Sequence, residues 1–184
     1  DALVDLVTTK AQGNPFYIEE LVDYIRGQGV DLRDASALAR LQLPGSLHSL
    51  VLSRIDMLAE SPRRTLKVAS VVGRTFRATV LSGVYPELGG HDEVEDQLKR
   101  LDAEALVHPD DSVEPTYAFK HVVTQEVAYE SMPYAFRSLL HERCGRYLEQ
   151  AEPDAVERSL DLLAHHYGRS ENLAKKCEYL ARAG

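Results

Sequence analysis

The 184 residues carry a formal charge of −8 and contain no tryptophan, and Leu, Val and Ala outnumber the aromatics. The length suits one large domain or a few small ones sharing interfaces. The acidic balance works against general affinity for phosphate backbones, and the aliphatic composition favours packed helices over an aromatic-rich β-sandwich. In chain order, residues 2–10 place Leu3, Leu6 and Val7 at the spacing of a short amphipathic helix. Gly13-Asn14-Pro15 then breaks it, because Gly and Asn tolerate positive φ and Pro cannot continue a helix. Pro15 can open the next helix, which carries Phe16, Ile18, Leu21, Val22 and Ile25 on one face and ends at Gly27 and Gly29.

A polar stretch from Asp31 to Arg40 leads to Leu43-Pro44. From Ser46, an apolar stripe of Leu47, Leu50, Val51, Ile55 and Leu58 predicts another helix. Ser61-Pro62 predicts a clean helix start, with Ser as N-cap and Pro at the first helical position, for a helix over 62–72. A short extended piece at Thr75-Phe76 follows, then a short helix over 77–84, a Pro- and Gly-rich turn and a helix over 92–104. Leu106-Val107-His108 and Tyr117-Ala118-Phe119 read as two short strands of a β-hairpin. Three helices and a hairpin in that order predict a winged helix-turn-helix. Beyond it lie amphipathic helices over 121–131 and 134–151, then a helical hairpin over 155–167 and 171–183 joined by Gly168-Arg169-Ser170. One such hairpin cannot bury its own face, which suits the first unit of a helical array.

No run approaches the length of apolar sequence needed to span a bilayer, and no charged-then-apolar leader opens the chain. Cys144 and Cys177 stand alone on helical patterns and read as reduced thiols of a cytoplasmic protein. The opening residues look like a helix in progress and the closing ones stop without a tail, as in an excised fragment.

The segment Gly13-Asn14-Pro15-Phe16-Tyr17-Ile18-Glu19-Glu20-Leu21 closely resembles the corresponding stretch of STAND-class (AAA+-related) signalling ATPases, the kind fused to class III adenylate cyclase or LuxR-type output domains. Three further stretches resemble the same family in order: Leu43–Leu47 leading into Leu52–Asp56, Val68–Phe76, and Phe119–Ser131. Leu163–Tyr167 with Tyr179–Gly184 completes the set. The resemblance implies a mainly α chain in which 1–60 is the C-terminal part of an ATPase helical lid, 61–132 a winged-helix domain and 133–184 the start of a TPR-like helical-repeat region. It also implies a P-loop ATPase domain and an output domain as partners in a longer parent, ADP or ATP with Mg²⁺ bound there, and protein partners docking on the repeats. The chain itself contains no G-x-x-x-x-G-K-S/T, so no cofactor and no catalytic residue are expected in the fragment alone.

Two places are the candidate nucleotide contacts. Gly13, Asn14 and Pro15 form a rigid, side-chain-poor turn on which a purine can pack, and the resemblance places adenine there; helix capping alone explains the same residues. Lys120 and His121 fall where the NB-ARC branch carries a phosphate-sensing Met-His-Asp motif, although the letters differ. The plainer alternative makes His121 a helix N-cap. The helix over 92–104 holds Asp92, Glu93, Glu95, Asp96, Asp102 and Glu104 against Lys99 and Arg100, which opposes DNA binding through it. A winged-helix DNA-binding transcriptional regulator is the alternative function, and a peptide-binding helical scaffold a third. No metal site is expected: His165 and His166 are adjacent and so point to different helix faces, while His141 and Cys144 sit on another helix. Glu19-Glu20 reads as a charged helix face.

Overall fold

The computed structural model describes residues 4, 8, 11, 13–29, 31, 35–40, 43–110, 115–151 and 153–184. The helix expected over 2–10 therefore lies largely outside the described residues, as does the middle of the connection between the two expected strands. The chain is mainly helical and divides after Leu58 into two compact units, each described by itself.

In the first unit, α1 (Pro15–Gly27) starts where Gly13 adopts φ +82° and the Asn14 side chain accepts hydrogen bonds from the N–H groups of Phe16 and Tyr17, at 3.1 and 3.4 Å. These are two of the donors that a helix start leaves without partners. Gly29, at φ +68°, closes the other end by donating to the Arg26 carbonyl. α2 (Ala35–Arg40) follows, then α3 (Leu47–Met57), whose start is a reciprocal box between Ser46 and Ser49. The core face of α1 differs from the expected stripe. Tyr17, Leu21 and Ile25 are buried and pack with Leu50, whereas Ile18 is exposed. Tyr17 wins because its hydroxyl donates to the Pro44 carbonyl at 3.3 Å, so its whole ring can go inside. Glu20 also turns inward: its carboxylate meets the buried Arg54 guanidinium of α3 at 2.6 Å, so it is not part of a solvated acidic face.

The second unit opens with α4 (Glu60–Val72). Ala59 occupies the N-cap, and Ser61 and Pro62 lie inside the first turn, which corrects the expected start by two residues. Pro62 is tolerated there because first-turn N–H groups have no intrahelical acceptor. α5 (Ala78–Val84), a single 3₁₀ turn (Pro86–Leu88) and α6 (His91–Ala103) follow. Glu93 caps α6 by accepting from the Gly90 N–H at 2.8 Å.

Strands β2 (Val107–Asp110) and β3 (Thr116–Phe119) pair antiparallel, with Val107 opposite Phe119. The expected extended piece is a third strand, β1 (Thr75–Phe76), on the free edge of β3, giving the order β1-β3-β2. Phe76 and Phe119 meet edge to face at 5.3 Å, and Leu66, Leu98, Leu101 and Leu106 of the same unit are fully buried.

α7 (Val122–Glu130) and α8 (Tyr134–Ala151) come next, then a 3₁₀ segment (Pro153–Ser159), α9 (Leu160–Gly168) and α10 (Leu173–Ala183). α8 packs on α4 and α5 and also on α9, and α9 packs on α10. The stacked rings of Tyr167 and Tyr179 (5.2 Å, 5°) join α9 to α10. Gly145 of α8 makes room for them, since a Cβ there would lie 2.7 Å from the Tyr167 ring. Among the described residues no helix is long and apolar enough to cross a membrane.

Candidate functional site

The expected nucleotide contacts fall in different units. Gly13, Asn14 and Pro15 form an exposed turn in the first, with its geometry accounted for by the Asn14 cap. Lys120 and His121 are half-buried in the second, just past β3. The Lys120 N–H donates to the Leu106 carbonyl, which ties the end of β3 to the start of β2. His121 occupies the N-cap position of α7 with extended backbone, but its side chain makes no capping bond.

A larger feature lies elsewhere in the second unit. The C-terminal end of α4 (Ser70 to Gly73), α7, α8 and α9 enclose an open cleft of about 690 Å³. Gln125 reaches across its floor to donate to the Ser70 carbonyl at 3.2 Å. Tyr129 of α7, His141 of α8 and His165 of α9 line one side, with Glu126, Glu130 and Asp161 along the rim. The Arg137 guanidinium lies 4.8 Å above the Tyr129 ring and holds it in place.

Behind this wall three imidazoles converge. The Tyr129 hydroxyl is 3.0 Å from His141 Nε2, and His141 Nδ1 is 3.0 Å from His166 Nδ1. One proton must therefore sit between the two Nδ1 atoms, donated by one ring to the lone pair of the other. His165 closes the group, its ring 5.8 Å from His141 and 5.2 Å from His166, and its Nδ1 accepts from Arg169 at 3.1 Å. One nitrogen from each of the three rings lies within 4.8 Å of the other two.

The electrostatics keep this cluster uncharged. Burial, then His165, Arg169 and Arg137, pushes the His141 pKa down to about 4. Burial, then His141, His165 and Arg169, pushes His166 down to about 3. Burial and Arg169 lower His165 as well. All three rings are thus neutral near pH 7, and each neutral ring has one lone pair to offer. Burial also pushes the Cys144 thiol up to about 12, so it stands as an inert apolar group.

The sequence signal was present but incomplete. Adjacent histidines do diverge on α9, with His166 buried and His165 exposed. They converge again because α8 lays His141 over the gap between them, a matter of helix register that spacing along one helix does not encode. Set beside known proteins, the chain matches no family model and no curated protein at a significant level.

Proposed function

We propose that this chain is a non-catalytic coupling segment of a STAND-class signalling ATPase. It would relay the ADP or ATP state of a separate P-loop domain to an output such as cyclic-nucleotide synthesis or transcription control. In this reading 1–60 ends the helical lid, 61–132 is a winged helix and 133–184 begins a TPR-like array. Four ordered motif stretches carry the reading, from the Gly13–Leu21 segment to Phe119–Ser131. The exposed Gly13-Asn14-Pro15 turn supports it, because a positive-φ glycine before a capped helix leaves a flat, side-chain-poor surface for a purine. The three short antiparallel strands interleaved with α4, α5 and α6 in chain order support the winged-helix reading.

The exposed carboxylates of α6 and its C-cap weigh against the DNA-binding alternative. Asp92, Glu93, Asp96, Asp102 and Glu104 all face solvent, where a phosphate-lined groove would repel them. The decisive test is the reading frame that encodes the chain. A Walker A motif about one domain's length upstream is expected, and a frame without one overturns the assignment. Titrating the chain with duplex DNA at low salt separates the alternative: no binding is expected, and salt-dependent binding would favour the transcriptional regulator.

A further inference from the structure

We propose that His141, His165 and His166 form a binding site for a divalent transition-metal ion of the zinc class, opening onto the cleft between α4, α7, α8 and α9. This inference does not depend on the ATPase reading. Its basis is the convergence of three imidazole nitrogens from two helices, with candidate ligand atoms all within 4.8 Å of one another. Zinc–nitrogen bonds of about 2.0–2.1 Å place tetrahedral ligand nitrogens roughly 3.3 Å apart. The two buried rings stand close to that spacing already, with Nδ1 atoms 3.0 Å apart. His165 is exposed, so it is the ring that can swing in by the remaining ångström or so once its bond to Arg169 breaks.

The chemistry of the ligand set selects the class of ion. Imidazole suits zinc, cobalt, nickel and copper, whereas magnesium and calcium prefer oxygen. Three protein ligands leave a fourth position, and the wall formed by His141 and His165 turns it towards the cleft, where water or a carboxylate can fill it. A Tyr129 hydroxyl accepting from His141 Nε2–H would fix the tautomer that presents Nδ1 to the ion. Binding then requires His166 to carry its proton on Nε2 instead of Nδ1, so the ring stays neutral and one hydrogen bond is exchanged for two metal bonds.

Arg169 opposes the ion. Its guanidinium can only donate, and it occupies the His165 Nδ1 lone pair at 3.1 Å. An ion binding at Nδ1 must displace Arg169, and one binding at Nε2 must send the ring proton to Nδ1, which also breaks the Arg169 bond. Arg169 and Arg137 also add positive charge, against Glu126, Glu130 and Asp161 on the rim. The balance predicts that removing Arg169 strengthens binding, which a cluster with only a packing role would not do.

The test is Co²⁺ titration of tag-free protein followed by its visible ligand-field band, with Zn²⁺ competition and X-ray absorption to count imidazoles. One ion per chain in a four-coordinate site, displaced by Zn²⁺, is expected. His165→Ala, which alters an exposed ring only, should weaken binding by about tenfold or more. Arg169→Ala should tighten it several-fold, a gain that a misfolded variant cannot deliver. Cys177→Ser should change nothing, since that exposed thiol lies outside the cluster. Absence of the band, equal affinity in His165→Ala, or weaker binding in Arg169→Ala would each overturn the site.

Discussion

Helices α8 and α9 carry two polar clusters a couple of turns apart, and the two are built on opposite principles. Around Glu149, the carboxylate accepts from the hydroxyls of Tyr167 at 2.8 Å and Tyr179 at 2.5 Å and from the Lys175 ammonium at 2.8 Å. Charge is matched there and the carboxylate's capacity to accept is largely used. Around His141 the groups are neutral, one proton is shared between two nitrogens, and Arg169 and Arg137 oppose protonation more than the carboxylates on the cleft rim favour it. The first cluster is a finished joint between α8, α9 and α10. The second holds lone pairs in reserve beside an open cleft, which is the arrangement of a site and not of a joint.

Acid should separate the two most strongly. His141 and His166 have folded-state pKa values near 4 and 3, below the ordinary 6.5. The unfolded chain therefore binds more protons than the folded one as the pH falls below 6.5. Stability that these rings leave intact above 6.5 is lost progressively until the pH has passed their folded values. His165, Arg169 and Arg137 surround the rings and reinforce that sign. Glu149 behaves differently: the hydrogen bonds of Lys175, Tyr179 and Tyr167 outweigh its desolvation and hold its pKa below 4.5, so its contribution fades only under more acidic conditions. We expect the melting temperature to fall on the order of 10 °C between pH 6.5 and 4.5. His141→Phe should flatten that slope and Glu149→Gln should leave it unchanged. An unaltered slope in His141→Phe would show that the acid response lies elsewhere.

Breaking the finished joint is the next largest effect. Glu149→Ala removes the acceptor of the fully buried Tyr167 and the partner of Lys175 together. Stranding a buried hydroxyl and losing these bonds should cost about 2–3 kcal/mol by denaturant unfolding. Glu149→Gln keeps an acceptor without the charge and should recover about half of that loss. If both variants unfold like wild type, the Glu149 cluster is ornament on a joint held by the Tyr167–Tyr179 stack alone.

What could be seen in the sequence follows from how local each cause is. The start of α1 was legible because Gly13, Asn14 and Pro15 act within one turn, and most helices of the second unit because their apolar spacing is local too; the helix expected over 155–167 begins only at Leu160, after a 3₁₀ segment. Ser61-Pro62 misled by two residues, since Glu60 and Ala59 extend the helix without a side-chain cap and no local rule forbids it. Thr75-Phe76 was legible as extended but not as part of the sheet, since its partner Tyr117-Ala118 lies more than forty residues further along the chain. Tyr17 displaced Ile18 from the core for a similar reason, its acceptor being the distant Pro44 carbonyl. The histidine site is the extreme case. Two of its members are neighbours in sequence, yet the site exists only through the register of α8 against α9.

The turn at Gly13-Asn14-Pro15 offers the smallest effect and a sharp contrast with both clusters, because its chemistry is local and exposed. Asn14→Ala removes the acceptor for the Phe16 and Tyr17 N–H groups and should destabilise the first unit by about 1 kcal/mol. Asn14→Asp keeps the acceptor, places negative charge at the positive end of α1 and should restore stability. The pair also separates capping from nucleotide contact in a protein that carries the P-loop domain. If the turn only caps α1, ADP affinity should track stability and recover in Asn14→Asp. If a purine packs on the turn, both variants retain Gly13 and Pro15 and should bind ADP alike, whereas Pro15→Ala should weaken binding with little loss of stability. Pro15 lies at the first helical position, where its missing N–H costs nothing and its ring is exposed. Unchanged ADP affinity in Pro15→Ala would remove the turn from the nucleotide site.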